Sequence, residues 1–231
     1  MKALTRIGLA VCLVSLSLVS SLTGVGARGW DDFTPREPSS KQPGRWEWAW
    51  DGSDGLGVGL SGARVRYVPG GPARIVIAGP EDALARVRVG QGQIRWCEDC
   101  RSVKGLDVTV SGVALRSVAL NGSDCEIQLG RLDQDRMNMA ISGTGRIAAA
   151  GRIDRLDLSI SGSGDADLAD TAVQRANINI AGSGNARVTP REEANIHVAG
   201  SGNVRMAAAP ARLRQFVTGS GGARIAEGRD R

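Results

Sequence analysis

The stretch LDLSISGSGDADL at residues 156–168 decides the fold, because NINIAGSGNARV follows at 177–188 and NIHVAGSGNVRM at 195–206. Glycine triplets of this kind, one of them Gly-Thr-Gly, begin at Gly143, Gly162, Gly182, Gly200 and Gly219. Their intervals are 19, 20, 18 and 19 residues. Self-similarity at a nearly fixed period is the signature of a repeat architecture, so the chain is built from stacked units.

Apolar and polar residues alternate strictly within each unit. In 156–168 the apolar residues and both glycines take the even positions, and Asp and Ser take the odd ones. This period of two predicts a strand with one buried face. The glycines fall on the inward parity, so we expect corners where a Cβ atom would collide with the core. The predicted corner glycines are Gly143, Gly145, Gly162, Gly164, Gly182, Gly184, Gly200, Gly202, Gly219 and Gly221.

A single coil of this kind cannot bury its apolar face alone. Stacking coil on coil, with parallel strands about 4.8 Å apart, removes those faces from water. The sequence therefore predicts an all-β solenoid with about 19 residues per coil, in a domain spanning residues 45–231. Regular coils are expected at about 136–226, with a less regular version of the pattern upstream.

The first 44 residues have a different character. Residues 1–27 contain Lys2, Arg6, an apolar run and then small residues, which is typical of a secretory signal peptide. The apolar run is shorter than the roughly 20 residues of a membrane span. We therefore expect an exported chain without a transmembrane span, located in the periplasm or at the cell surface. Residues 28–44, with their Pro and Ser content, are predicted to form a flexible leader.

Composition narrows the possible functions. The chain has 32 glycines, eight aromatic residues and one histidine, which removes most familiar catalytic constellations. Without the two basic residues of the signal peptide, 27 basic residues face 24 acidic ones, so the mature chain is only mildly basic. That balance argues against a dedicated nucleic-acid binder.

Several runs carry a family resemblance. SISGSGDADL, NIAGSGNARV and HVAGSGNVRM, with ALNGSDCEIQL and RVRVGQGQIRW upstream, resemble the head GIN domain family, described as auto-transporter adhesins and otherwise of unknown function. The resemblance covers about residues 55–226. It implies a right-handed parallel β-helix-like fold in an exported bacterial envelope protein.

The cysteines suggest a disulfide rather than redox chemistry. WCEDC at 96–100 has the spacing of thiol oxidoreductases, but its two acidic residues oppose a thiolate and no βαβ pattern surrounds it. We interpret Cys97 and Cys100 as a structural disulfide of an oxidising compartment. Cys125 is then left over, and its pairing is open.

No metal, cofactor or catalytic residue is predicted. Three cysteines and the distant His197 do not supply a four-ligand zinc site. Calcium is disfavoured because arginine replaces Asp167 in the following coils. His197 lies on the outward parity, in a predicted row with Asn138, Ser159 and Asn179, and is interpreted as a solvated side chain. Parallel β-helices also carry polysaccharide-cleaving enzymes built on clustered carboxylates, so a carbohydrate-active enzyme is the alternative function, with Asp165 and Asp167 the only close acidic pair on one strand.

Trp46, Trp48 and Trp50 alternate with other residues, so one strand would present all three indoles on one side. They are predicted to plug the N-terminal end of the solenoid, where the end coil otherwise exposes its core. An aromatic platform for sugar rings is the competing interpretation.

A basic stripe is the candidate binding surface. Arg187, Arg205 and Arg224 each lie three residues past the second glycine of a triplet, and are predicted to stack about 5 Å apart on the outward side. Solvated guanidinium groups are one interpretation, and a site for an anionic partner is the other. We therefore predict a non-enzymatic binding or structural protein of the envelope, with an anionic polysaccharide, a lipid headgroup or another envelope protein as partner.

Overall fold

The computed structural model of the protein describes residues 33–112 and 114–225, so the predicted signal peptide lies outside the described residues. Of the described residues, 67% lie in strands and 2% in helix. Within this range the short helix α1 spans Glu81–Leu84, and no helix is long and apolar enough to cross a bilayer. The strands are β1 (Ser40–Gln42), β2 (Arg45–Ala49), β3 (Gly55–Gly59), β4 (Ala63–Val68), β5 (Arg74–Ala78), β6 (Val87–Gly90), β7 (Gln93–Trp96), β8 (Leu106–Ser111), β9 (Ser117–Gly122), β10 (Glu126–Gly143), β11 (Arg146–Gly162), β12 (Asp165–Gly182), β13 (Asn185–Gly200), β14 (Asn203–Met206), β15 (Arg212–Thr218) and β16 (Gly222–Ile225).

Strands β10 to β13 each run around one coil and end at the first glycine of a triplet. Neighbouring coils pair in parallel, and the triplets set the register: Gly143 aligns with Gly162, Gly162 with Gly182, and Gly182 with Gly200. The protein is a β-solenoid of about five turns of roughly 20 residues, which confirms the predicted fold class.

The core of the coils consists of stacked aliphatic rows. Ile141, Ile160, Ile180 and Val198 form one such row, and each is no more than 2% exposed. Burying a side chain of this size stabilises the fold by roughly 1.5–3 kcal/mol. Because the coils differ in length by one or two residues, the register shifts midway between triplets, where bulges absorb the difference.

The N-terminal part is less regular than the coils. On one face β4 lies between β8 and β10, although β8 follows β4 in the chain. On the other face β9 lies between β3 and β10, and β7 lies beyond β3. At the outer end β5 and β2 pair antiparallel, so this end is closed by strands that do not belong to the parallel stack.

The predicted flexible leader differs from the observed structure over part of its length. Within residues 28–44, β1 pairs antiparallel with β2, and the backbone of Arg36 bridges to Val89. The physical reason is that β2 would otherwise present an unpaired edge, and covering an edge satisfies its backbone groups.

Candidate anion-binding face

The glycine triplets fix how one coil lies on the next. The carbonyl of Gly162 accepts hydrogen bonds from the amides of Ser183, at 2.9 Å, and Gly184, at 3.1 Å, in the next coil. A Cβ atom on Gly182, whose φ is +127°, would collide with that carbonyl. A Cβ on Gly184 would lie 2.6 Å from Cγ2 of Ile160. At the first glycine of a triplet, a side chain is therefore excluded by the backbone of the neighbouring coil. At the second glycine, it is excluded partly by a side chain of the core.

This fixed register produces straight rows of outward side chains. Arg187 of β13 aligns with Arg205 of β14, and Arg205 aligns with Arg224 of β16. All three residues are exposed. Neighbouring strands lie about 4.8 Å apart, so the three guanidinium groups share one face at close spacing. We call Arg187, Arg205 and Arg224 the arginine stripe.

The positive charge of the arginine stripe is compensated only at one end. Asp167 of β12 precedes Arg187 in the row, and its Oδ2 lies 3.4 Å from Nη1 of Arg187. Within the described part of the chain, Arg205 and Arg224 take part in no ion pair. Like charges on adjacent strands are mildly unfavourable, so the row carries a cost that an anion would relieve.

The row beside the stripe is polar and hydrogen bonded. Asp165, Asn185 and Asn203 align in β12, β13 and β14, and Asn185 Nδ2 donates to Asp165 Oδ1 at 3.1 Å. One coil earlier, Arg146 Nη2 lies 3.5 Å from Asp165 Oδ2. The charges of β11 and β12 on this face are thus paired, whereas those of Arg205 and Arg224 toward β16 are not paired within the described residues.

A second basic row lies on another part of the coil, and sequence reasoning missed it. Arg136, Arg155 and Arg175 align in register, and Glu193 follows them. Each lies seven residues before the first glycine of its triplet, so counting backward as well as forward from the triplets would have found it. Arg175 Nε lies 3.7 Å from a carboxylate oxygen of Glu192, and in the row itself the acidic Glu193 separates Arg175 from Arg212 of β15.

Glu193 lies in a hydrogen-bonded and ion-paired cluster. The side chain of Asn195 donates to its carboxylate at 3.1 Å, and Arg212 and Arg214 approach it to 3.3 and 3.8 Å. The hydrogen bond from Asn195 is the largest influence on the pKa of Glu193 and lowers it; desolvation opposes this, and Arg212 and Arg214 lower the pKa further, so that it lies below its usual value. Asn195 Nδ2 also lies within 3.1 Å of Asn177 Oδ1, so this cluster joins a polar ladder rather than a stripe of one charge.

His197 lies on the outward face as predicted, but its row needs a correction. Ser159 and Asn179 do align with His197, whereas Ala140 takes the position predicted for Asn138. The reason is that the triplets anchor the register, and 19 residues separate Ala140 from Ser159. The neighbour of His197 on the next strand is Phe216, with ring centroids 6.1 Å apart.

The structure does not gather the acidic residues into a site. Asp165 and Asp167 each face an arginine on an adjacent coil, Arg146 and Arg187 respectively. In the described ranges, no group of three or more His, Cys, Asp or Glu side chains is arranged to hold a metal ion.

The described cysteines are of two kinds. Cys97 and Cys100 are joined in a disulfide that closes a tight turn, with their Cα atoms 5.2 Å apart. Cys125 is a free thiol in the core. Burial, the largest influence, raises the pKa of Cys125 to about 11, so this thiol stays protonated and unreactive at neutral pH.

The three tryptophans pack at the closed end of the solenoid. Trp48 is 2% exposed, and its Nε1 donates to the backbone oxygen of Arg36 at 3.1 Å. Trp50 is also buried, and its Nε1 donates to the Ser53 backbone oxygen at 2.7 Å. Trp46 is half-buried beneath the Lys41 ammonium, 4.7 Å from the ring centroid. This arrangement supports the end plug over a sugar-binding platform.

The fold and its rows define a β-solenoid protein with repeated rows of polar and charged side chains on its outer faces. A family described as "Putative auto-transporter adhesin, head GIN domain" matches residues 60–210, and the chain belongs to this family. No curated protein matches the chain.

Solved structures share the fold. A structure described as a putative adhesin from Bacteroides fragilis NCTC 9343 has a TM-score of 0.63 at 16% identity, covering 80% of this chain and 98% of that chain. A putative adhesin from Parabacteroides merdae matches with a TM-score of 0.45 at 19% identity, over 79% of this chain and 95% of that chain. A putative lipid binding protein from Parabacteroides distasonis matches with a TM-score of 0.46 at 15% identity, over 79% of this chain and 96% of that chain.

Proposed function

We propose that the protein is exported to the cell envelope and acts there, in the periplasm or at the cell surface, as a non-enzymatic binding module for an acidic polysaccharide. Its membership of an adhesin-described family supports a binding role. The observation that carries the proposal is the arginine stripe, in which Arg205 and Arg224 stack on a flat face without a carboxylate partner in the described ranges.

A repeating anion suits this face because both the charges and their spacing repeat. Guanidinium groups bind carboxylates through paired, charge-assisted hydrogen bonds. A flexible acidic chain lying along the solenoid axis would meet one arginine per coil. The neighbouring Asn185 and Asn203 side chains supply amide groups for sugar hydroxyls.

Binding to polygalacturonate, measured by calorimetry or by affinity electrophoresis, tests the proposal. Binding should weaken steeply between low and moderate salt, because the contacts are exposed ion pairs. The double variant R205Q/R224Q should lose about tenfold in affinity, as two exposed ion pairs together contribute about 1.4 kcal/mol. The matched control R136Q/R155Q removes the same charge from the other basic row and should bind as the wild type does.

The arms of the experiment separate the alternatives. Neutral dextran should not bind, and vesicles of anionic phosphatidylglycerol distinguish a lipid headgroup as the ligand. New reducing ends during incubation would favour the carbohydrate-active enzyme. Equal losses in both double variants, or binding that does not depend on salt, would contradict the arginine stripe as the site.

A further inference from the structure

The two ends of the solenoid are unequal, and within the described residues no strand covers the C-terminal end. In the described residues β15 pairs only with β13, and β16 only with β14, so both present a free edge. Four of the five exposed large apolar side chains in the described residues lie in these two strands. They are Leu213, Phe216, Val217 and Ile225, which are 38%, 64%, 37% and 43% exposed.

Three of these side chains continue inward rows of the core, and one of them is Ile225, which aligns with the buried Met206. Leu213 aligns with Ala194, and Val217 aligns with Val198, both of which are buried in β13. Leu213 and Val217 therefore continue inward rows, and they are exposed because no further strand of the described residues covers them. An exposed apolar strand edge of this kind is a template for pairing with another chain.

We propose that this open end is a homodimer interface, in which β15 pairs antiparallel with β15 of a second copy across a two-fold axis through Gln215. In this register Leu213 lies opposite the partner's Val217, which completes the inward rows. Gln215, which continues the inward row of Ile196, meets its own copy, and a carboxamide supplies both the donor and the acceptor that such a pair needs.

The outward residues of β15 are compatible with the same register. Arg214 lies opposite the partner's Phe216, and Arg212 lies opposite the partner's Thr218, so no two arginines face each other directly. Arg212 and Arg214 are also held by Glu193 of their own chain, at 3.3 and 3.8 Å. The repulsion between Arg212 and Arg214 is reduced, because the carboxylate of Glu193 lies close to both guanidinium groups.

The other end of the molecule favours a closed dimer over a filament. There β1 and β2 pair antiparallel and the tryptophans fill the end, so a second copy has no parallel coil to stack on. A contact that repeats the same surface on both copies closes after two subunits.

Sedimentation of the purified protein over a range of concentrations tests the interface. The wild type should be a dimer in reversible equilibrium with monomer. V217K should raise the dissociation constant at least about tenfold, because burying an unpaired charge costs more than the corresponding 1.4 kcal/mol or so. V68K is the matched control, as Val68 is 42% exposed on β4, away from this end. A wild-type monomer at all concentrations, or equal dimerisation of V217K and wild type, would overturn the proposal.

A cysteine at the two-fold axis tests the register without depending on the stability of V217K. In Q215C the two copies would place their Cα atoms about 4.5–5.5 Å apart, within the range of a disulfide. Mild oxidation should give a covalent dimer, whereas T218C, which lies opposite the partner's Arg212, should remain largely monomeric under denaturing electrophoresis. Both variants also contain the buried Cys125, so any contribution of this thiol to cross-linking is the same in both. Cross-linking of T218C in preference to Q215C would contradict the antiparallel register.

Discussion

The N-terminal part and the coils of this solenoid use the same alternating strands in different ways. In the coils, β10 to β13 are 16 to 18 residues long, and each pairs with the strand that follows it in the chain. In the N-terminal part, β1 to β9 are three to six residues long, their order in space departs from their order in the chain, and the outermost pairs are antiparallel. A coil is thus stabilised by the coils on either side of it, whereas an end of the solenoid requires additional elements that cover the last coil.

The difference shows how a solenoid handles its edges. Each inner coil satisfies its backbone through the coils on either side, so stability accumulates by nearest-neighbour contacts. The N-terminal end has no such neighbour, and the antiparallel pairing of β5 with β8 and with β2, together with the buried indoles, takes its place. Variants in the two regions should therefore fail for different reasons.

The largest effect is expected in the cap. Trp48→Ala should destabilise the protein by about 3–5 kcal/mol, the usual cost of removing a buried large aromatic side chain. Chemical unfolding followed by far-UV circular dichroism measures this loss. Trp46→Ala is the matched control, because Trp46 lies in the same strand but is only half-buried. Equal losses in the two variants would contradict the plug and favour a surface role for both rings.

A slightly smaller effect is expected at the triplets. Gly182→Ala should cost on the order of 2–4 kcal/mol, because the new Cβ would collide with the Gly162 carbonyl and the backbone has a φ that L residues avoid. Gly70→Ala separates the two causes, since Gly70 has a φ of +83° but no atom within 4 Å of an added Cβ.

The difference in stability between Gly182→Ala and Gly70→Ala measures how much close packing between coils contributes to the cost of the Gly182 substitution. Gly70→Ala should cost only about 1 kcal/mol from backbone strain, and Ser183→Ala in the same triplet should be nearly silent in a thermal melt. If the melting temperatures of Gly182→Ala and Gly70→Ala shifted equally, backbone conformation alone would explain the triplets.

The coils could be predicted from the sequence because their information is local and repeated. Alternation determines which side chains point inward, and the triplets determine which residues are neighbours. The alignment of Arg187, Arg205 and Arg224 therefore follows from the spacing of the triplets alone. The second row, with Arg136 and Arg155, obeys the same register but lies on the other side of the triplets, where counting forward from the glycines does not reach.

The ends could not be predicted in this way. The sequence of β5, RIVIA, gives no sign that this strand reverses direction, because apolar β-branched residues are common to parallel and antiparallel strands. The insertion of β4 between β8 and β10 joins strands about 60 residues apart in the chain, and no local pattern encodes such a pairing. Leu213 and Val217 alternate like buried residues, so their exposure depends on whether a further strand covers them, which the alternation does not encode.

The smallest effect on stability is expected for Asp51, whose carboxylate joins two segments of the N-terminal part by hydrogen bonds. Asp51 accepts hydrogen bonds from the backbone amides of Ser53, at 3.0 Å, and Gly92, at 2.6 Å, which ties the start of β3 to the turn between β6 and β7. Partial burial raises the pKa of Asp51, but the hydrogen bonds from Ser53 and Gly92 and the charge of Arg36 outweigh it, so that the pKa lies below its usual value.

A lowered pKa in the folded state means that the charged form of Asp51 stabilises the fold. This contribution is fully present above the unfolded pKa of about 3.9 and is lost as the pH falls from there through the folded pKa. Asp51→Asn keeps the shape but cannot accept both amides as a carboxylate does, and it should cost about 1 kcal/mol at pH 7. The wild type and the variant should therefore differ in chemical unfolding at pH 7 and converge as the pH is lowered below about 4. Gly182→Ala supplies the control from the coils, because its loss involves no titrating group and should persist at low pH. A difference between wild type and Asp51→Asn that stayed constant through the acid range would show that Asp51 acts through shape rather than through charge.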